Sequence, residues 1–245
     1  MYDSFAGLYD SLTFDVEYEK IADFAAGKIR AHKPDAELVL DLACGTGTLT
    51  RLLSLRGFDM IGVDFSAEML SAAKDKTEDE SILYLLQDIR EFELYGTVDA
   101  IICSLDGLNY LLGDGELEAV FRLCHNYLNP DGLLLFDINS EYKFKHVFAE
   151  NTFVFETEEV FYTWENSFDE KTRLCDFFLT FFVKNKNGSY DRLDEEQTER
   201  AYSAREVESA LAAAGFEIKS VCDGYGGGTV KPGSERVVYE CVKSK

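Results

Sequence analysis

The segment Val39-Leu40-Asp41-Leu42-Ala43-Cys44-Gly45-Thr46-Gly47-Thr48 carries an apolar run into two closely spaced glycines, and Asp64 lies 23 residues beyond Asp41. A strand that feeds a glycine turn and then a helix lets a ligand approach bare backbone, and the helix N-terminus favours a negative ligand group. Asp64, at the tip of the next apolar run, stands where a carboxylate accepts both hydroxyls of a ribose. These features suit any nucleotide-derived cofactor, and equally a tight turn in any α/β protein. Two details narrow the chemistry. The third glycine of a dinucleotide fingerprint would fall at Thr50. Asp41 ends the first run just before the turn, where it would repel a pyrophosphate but suit a cation. A sulfonium with an amino-acid tail therefore fits better than a nicotinamide dinucleotide.

These residues need elements to hold them. Ile21, Phe24, Ala25, Lys28 and Ile29 recur at helical spacing across 16–31, ending before Pro34. Apolar runs at Leu38–Leu42, Met60–Val63, Leu83–Gln87, Val98–Cys103 and Leu133–Phe136 read as buried strands, separated by helical patterns around Leu49–Leu53, Met69–Ala73 and Asp114–Tyr127. Such alternation predicts a parallel sheet covered on both faces, a doubly wound α/β domain. From about residue 150 the texture becomes aromatic and β-rich, with turns at Asp169-Glu170-Lys171 and Asn185-Lys186-Asn187-Gly188. Three antiparallel strands from about 152 to 200 are expected there. Ser203 then caps a helix (Val207, Leu211, Ala214) stopped by Gly215, and Phe216–Val221 and Arg236–Val242 close the chain as two further strands. The expected fold is α/β, a mostly parallel seven-stranded sheet with an inserted antiparallel β meander.

Asp41-Leu42-Ala43-Cys44-Gly45-Thr46-Gly47 resembles the first motif of class I S-adenosylmethionine-dependent methyltransferases, and Gly62-Val63-Asp64-Phe65-Ser66 resembles their second. Gln87-Asp88-Ile89 is similar to the third, and Leu128-Asn129-Pro130-Asp131-Gly132 to the turn before the fifth strand. The likeness covers residues 36–139, and the terminal strand pair extends it to about 245. It departs at Ala43, where many members carry a glycine. The resemblance implies a Rossmann-like fold over a single domain, 1–245. Within it lie an N-terminal helical lid (1–35), a cofactor-binding core (36–140), an inserted β lid (150–200) and a final helix and hairpin (203–245). It implies S-adenosyl-L-methionine as cofactor. Asp41, Ala43, Gly45 and Gly47 would hold its methionine part, and Asp64 the ribose. Phe65 and Met69 would flank the adenine, Asp88 would meet the adenine amino group with Ile89 on the ring, and Ser104 and Leu105 would face the methionine moiety. Asp88 can also be a loop cap, and Met69 or Ile89 ordinary core.

Tyr9-Asp10 resembles a lid pair found in small-molecule members, the alternative being a frayed terminus. Asp106, Asn109 and Tyr110 follow the fourth strand, where they either contact a ligand or cap a helix. From the meander Tyr162, Trp164, Arg200 and Tyr202 are candidates to point at a substrate, and Tyr225 sits in a glycine-rich loop that is either a flap or a plain connection. Asn109, Tyr162, Trp164, Arg200 and Tyr225 are thus the expected substrate contacts. Candidates for a base are Tyr9, Asp106, Tyr110 and Tyr202, no histidine being suitably placed.

Composition bounds the partners. The chain has 46% hydrophobic and 13% aromatic residues, enough for a large core, and 24 Lys plus Arg against 46 Asp plus Glu, a formal charge of −22. So acidic a surface repels phosphate backbones and anionic membranes. The acidic N-terminus has no leader pattern, and six cysteines without C-x-x-C spacing look like reduced thiols, which together predict a cytoplasmic protein. The three histidines have no zinc spacing, and no metal is expected. The expected activity is methyl transfer to a small molecule, with N, O or C undetermined. Rivals are an RNA methyltransferase, a non-catalytic S-adenosylmethionine-binding protein, and a nicotinamide-dependent dehydrogenase. Oligomeric state is not readable.

Overall fold

A computed structural model describes residues 5–13, 15–77 and 81–244. Two helices, α1 (Phe5–Leu12) and α2 (Tyr18–His32), precede the first strand, β1 (Leu38–Leu42). Helix α2 buries Ile21, Ala22, Ala25 and Ile29, one stripe at helical spacing, and stops at Lys33 ahead of Pro34. The chain then alternates through α3 (Thr48–Ser54), β2 (Asp59–Asp64), α4 (Ala67–Asp75), β3 (Leu83–Leu86), β4 (Val98–Cys103), α5 (Glu116–Tyr127) and β5 (Leu128–Asn139). A single π-helical turn at Lys143–Phe148 leads into β6 (Thr152–Glu156), β7 (Val160–Asp169), β8 (Leu174–Lys184) and β9 (Tyr190–Arg200). Helix α6 (Ala204–Ala214) and strands β10 (Phe216–Asp223), β11 (Gly228–Thr229) and β12 (Arg236–Lys243) follow. Ser203 and Glu206 close a reciprocal capping box at the start of α6, and Gly215 at φ 87° ends it.

The larger sheet has the order β11-β10-β12-β5-β4-β1-β2-β3, with β5 through β3 parallel and the β10–β12 end antiparallel. Helices α5 and α6 cover one face (Val120, Phe121, Val207, Leu211), and α2, α3 and α4 the other (Ile29, Leu53, Leu70). Chain order reverses between β1 and β4, so their carboxyl ends open a crevice where such sheets bind ligands.

The second sheet, β6-β7-β8-β9, is antiparallel throughout. It contains four strands where three were expected. The additional reversal, at 157–159, has neither glycine nor proline, and is closed by Thr157, whose backbone N–H donates to the Val160 carbonyl at 2.8 Å and whose hydroxyl accepts from the Val160 N–H at 3.0 Å. A turn built from a threonine side chain leaves little signal in sequence. Two other differences are small. The main sheet gains the two-residue β11 at its edge, and β5 begins at Leu128, with Asp131 at φ 59° absorbing the expected turn as an irregularity within the strand.

Helix α1 lies beneath the second sheet. Leu8 is wholly buried with Val160, Tyr162, Phe181 and Val183, while Phe144 and Phe148 of the π turn pack with Cys175, Phe177 and Ala201. No described helix is long and apolar enough to cross a membrane. Truncating Leu8 to Ala removes the main apolar tie between α1 and the second sheet, at a cost of about 2–5 kcal/mol. Amide hydrogen exchange over 5–12 should therefore accelerate in Leu8→Ala while β1 and β4 keep their protection; unchanged exchange in α1 would refute this account.

Candidate active site

The turn after β1 is shaped by left-handed backbone. Ala43, Gly45 and Gly47 have φ of 55°, 53° and 69°. A Cβ on Gly47 would lie 2.5 Å from the Tyr84 hydroxyl and 2.9 Å from the Ala73 Cβ, so no side chain fits there. A Cβ on Gly45 would meet nothing within 4 Å, which leaves that backbone bare toward the crevice. Asp64 fastens the turn to the end of β2. Its carboxylate accepts the Gly45 N–H at 2.8 Å and the Ser66 N–H at 2.9 Å, and burial raises it above the usual carboxylate range despite these donors. Asp41 is 2% exposed and accepts the Thr50 hydroxyl at 2.6 Å. Burial pushes its carboxyl up to about 7; the Thr50 bond opposes the rise and the Asp64 charge adds to it.

The turn after β4 is held differently. Leu105 and Asp106 both have left-handed φ, 58° and 61°, and neither is a glycine. The Asp137 carboxylate on β5 accepts both of their N–H groups, at 2.7 and 3.2 Å, and also meets the Tyr225 hydroxyl and the Arg236 guanidinium. Arg236 reaches on to Asp106 at 2.6 Å. From the other side, Asp10 of α1 accepts the Thr46 hydroxyl at 2.7 Å and the Thr48 hydroxyl at 3.2 Å, and pairs with Lys76. The N-terminal helix is thereby latched to the glycine turn.

Two cavities result. The larger, about 510 Å³, is lined among others by Tyr9, Asp41, Ala43, Gly45, Asp64, Phe65, Met69, Ser104, Leu105, Asp106 and Tyr110. The smaller, about 280 Å³, lies between the crevice and the second sheet; its wall is Val16, Phe148, Tyr162, Trp164, Phe177 and Leu179, with polar residues Asn139, Lys143, Glu199 and Arg236. Tyr9, Leu105, Asp106, Tyr110 and Gln197 line both, so the cavities adjoin. The larger carries Asp41, Asp64, Glu68, Asp106, Glu195 and Glu196 with no Lys, Arg or His among its described lining residues. That donor set suits a nucleoside bearing a sulfonium and an amine, and opposes a pyrophosphate. The Phe65 ring, 75% exposed beside the cavity, offers an apolar face for a base. S-adenosylmethionine fits these residues; a nicotinamide dinucleotide does not.

Not every expected residue reaches a cavity. Gly47 lies under Tyr84, and Ile89 packs on the main core. Asp88 is held by Arg90, whose Nε lies 2.9 Å from Oδ1. Asn109 is wholly buried, donating to the Arg200 carbonyl at 2.9 Å and accepting the Asn139 N–H at 2.9 Å, and so joins β5 to β9. Arg200 itself donates to the Leu112 carbonyl and pairs with Asp114, both at 2.9 Å. Tyr202 donates to the Leu111 carbonyl, and Tyr225 bonds Asp137 with its ring edge-on to Phe24 at 5.6 Å. These four polar side chains are spent on backbone or ionic partners within the fold. Conversely, Asp137, Asn139, Lys143, Glu199 and Arg236 gather at the site without having been anticipated. The period-two alternation of β9 puts Glu199 on the same face as Leu193, which packs on the apolar cluster of the second sheet, and that spacing is a signal the sequence carries.

The comparisons with known proteins agree with this geometry. A family model described as a methyltransferase domain matches residues 39–132. The chain is 35% identical over 249 aligned positions to the putative methyltransferase YqeM of Bacillus subtilis, covering 100% of this chain and 98% of that one. The crystal structure of an S-adenosylmethionine-dependent methyltransferase from Clostridium acetobutylicum is similar with a TM-score of 0.90 at 35% identity, covering 98% of each chain. Over 119 residues, 49% of this chain and 46% of the relative, it is 31% identical to a dTDP-3-amino-3,6-dideoxy-alpha-D-glucopyranose N,N-dimethyltransferase of Streptomyces fradiae.

The elevated Asp41 carboxyl has a consequence for the ligand-free protein. Below about pH 4 an Asp is protonated in both folded and unfolded chains. Between about 4 and 7 the unfolded chain gives up that proton while the folded one keeps it, so this contribution to stability is lost as pH rises through the folded value near 7. Asp41→Asn should therefore gain on the wild type by a few kcal/mol between pH 4 and 8 in denaturant melts. A stability difference that is constant with pH would sink this reading.

Proposed function

The chain belongs to the class I S-adenosylmethionine-dependent methyltransferases, and within that family we propose that it methylates the nitrogen of a small, phosphate-free amine held in the smaller cavity. The observation that carries this reading is Asp106, a carboxylate at the joint of the two cavities, backed by an aromatic wall that attracts a cation by its π faces. When bound, S-adenosylmethionine supplies a methyl group on positively charged sulfur, so an acceptor lone pair aimed in line with it suffices.

The residues divide the remaining work. Asp64 is suited to the ribose hydroxyls, Phe65 and Met69 to the base, and Asp41 to the amine of the methionine tail. The turn at Ser104–Leu105 offers backbone to the same tail. Tyr9 and Tyr110 line the joint of the two cavities, and α1, latched through Asp10, keeps water from the transfer. Asp106 draws in a protonated amine. The Streptomyces relative is named for an amine acceptor on a nucleotide-linked sugar, which supports nitrogen as the atom methylated. A nucleoside diphosphate finds no free cation among the described residues that line the two cavities. Arg236 is engaged by Asp106 and Asp137, and Lys143 donates to Asn139 at 3.0 Å and lies over the Phe148 ring at 4.9 Å. The free thiols, five of the six buried, support the expected cytoplasmic location.

Two measurements test this. Asp64→Ala should weaken S-adenosylmethionine and S-adenosylhomocysteine binding by on the order of 2–4 kcal/mol in calorimetry, through loss of charge-assisted hydrogen bonds. An unchanged dissociation constant would overturn the ribose assignment. In a turnover assay, 2-phenylethylamine should be methylated while 2-phenylethanol, 2-phenylethanethiol and a dTDP-linked amino sugar are not; transfer to the alcohol, thiol or nucleotide sugar instead would overturn the small-amine reading.

A further inference from the structure

Asp106 and Glu199 come from parts of the chain 93 residues apart and both line the smaller cavity, Asp106 at its joint with the larger one. Asp106 occupies the left-handed turn after β4, and Glu199 the penultimate position of β9. Glu199 is 3% exposed and accepts the Asn139 side-chain N–H at 2.9 Å. The groups facing the pair come from every neighbouring element. They are Arg236 of β12, Glu235 just before it beside Lys143, Lys143 from the π turn, Asp137 from β5, Glu195 from β9, Asp15 ahead of α2, and the hydroxyls of Tyr9 and Tyr110. Within the buried group, Arg236 and Lys143 balance only two of the three carboxyls Asp106, Asp137 and Glu199. The third either keeps a proton or meets a cation brought by a ligand.

We propose that Glu199 acts with Asp106 as the site that receives the acceptor's ammonium group and takes its proton before transfer. This rests on the amine reading above and extends it by a second carboxyl, which selects cationic amines over neutral isosteres. The electrostatics support the geometry. Burial, and then the Asp106 charge, push Glu199 well above the usual carboxylate range. Burial would also raise Asp106, but Arg236 and Lys143 outweigh it and hold Asp106 below its ordinary value. These opposite shifts assign the one proton that the pair carries in this proposal to Glu199 rather than to Asp106. Arrival of R–NH3+ expels that proton to solvent, leaving two carboxylates against the ammonium. The pair then removes one proton from nitrogen, returning to its one-proton state and freeing the lone pair. The nitrogen–carbon bond forms as the carbon–sulfur bond breaks, and the product leaves as R–NH2+–CH3. One proton is released per turnover, at the binding step.

The test is calorimetric titration of 2-phenylethylamine into protein saturated with S-adenosylhomocysteine, near neutral pH, in two buffers of different ionisation enthalpy. Wild type should release about one proton per amine bound. Glu199→Gln, which keeps the side-chain volume, should bind amine with no release, and so should Asp106→Asn, whose Glu199 ionises beside the two cations. Each single variant keeps one carboxylate, so each should lose about tenfold in kcat/KM and the double variant about a thousandfold or more, beyond the product of the singles. Amine that binds wild type without proton release, or losses that simply multiply, would overturn the paired role while leaving the amine reading intact. Absence of any 2-phenylethylamine binding by wild type would overturn both.

Discussion

The Asp137 carboxylate sits on β5 with no exposed surface, receiving the N–H groups of Leu105 and Asp106 while facing the Arg236 guanidinium and the Tyr225 hydroxyl. Two consecutive left-handed residues without glycine are strained, at a cost of roughly 1–2 kcal/mol each. The two charge-assisted hydrogen bonds from this carboxylate offset that cost. Without them the turn after β4 would relax, and Asp106 would leave the joint of the two cavities. Arg236 in turn needs Asp137, because a buried guanidinium with one carboxylate partner fewer would draw Asp106 toward itself. The placement of Asp106 at the joint of the two cavities thus descends from one buried charge two strands away from the glycine turn.

Local chemistry explains why half of this site is legible in the sequence and half is not. The turn after β1 is written within ten residues, since Gly47 under Tyr84 and bare Gly45 are demanded by backbone geometry at positions two apart. Asp64 follows from the same logic at the end of the neighbouring strand. The smaller cavity has no such compactness. Asp137, Lys143, Glu199 and Arg236 arrive from β5, the π turn, β9 and β12, and no pairwise spacing announces that they meet. Asn109 and Arg200 fail in the opposite sense. Their residue types and loop position suit a ligand, but both are consumed in tying β9 to the turn after β4. Side-chain direction, which decides between the two, is set by tertiary packing. The fourth strand of the second sheet escaped for a related reason, its turn depending on a threonine rather than on glycine.

Charge runs consistently through the molecule. The formal charge of −22 extends into the crevice, since the larger cavity is lined by six acids and by no base among its described residues. Asymmetry of that kind disfavours phosphate-bearing ligands by simple repulsion, and it raises the local concentration of cations at the mouth. The desolvation that pushes Asp41 upward makes the same point from within, because a buried carboxyl held only by Thr50 gains most when a positive group arrives to share its environment.

Helix α1 links the two ends of this arrangement. Its successive residues Leu8, Tyr9 and Asp10 address three different surroundings: the second sheet, both cavities, and the glycine turn. Successive positions on a helix point about 100° apart, so one short turn can brace all three only if it lies between them. Such a helix cannot move away from the glycine turn without also disturbing the wall of the smaller cavity.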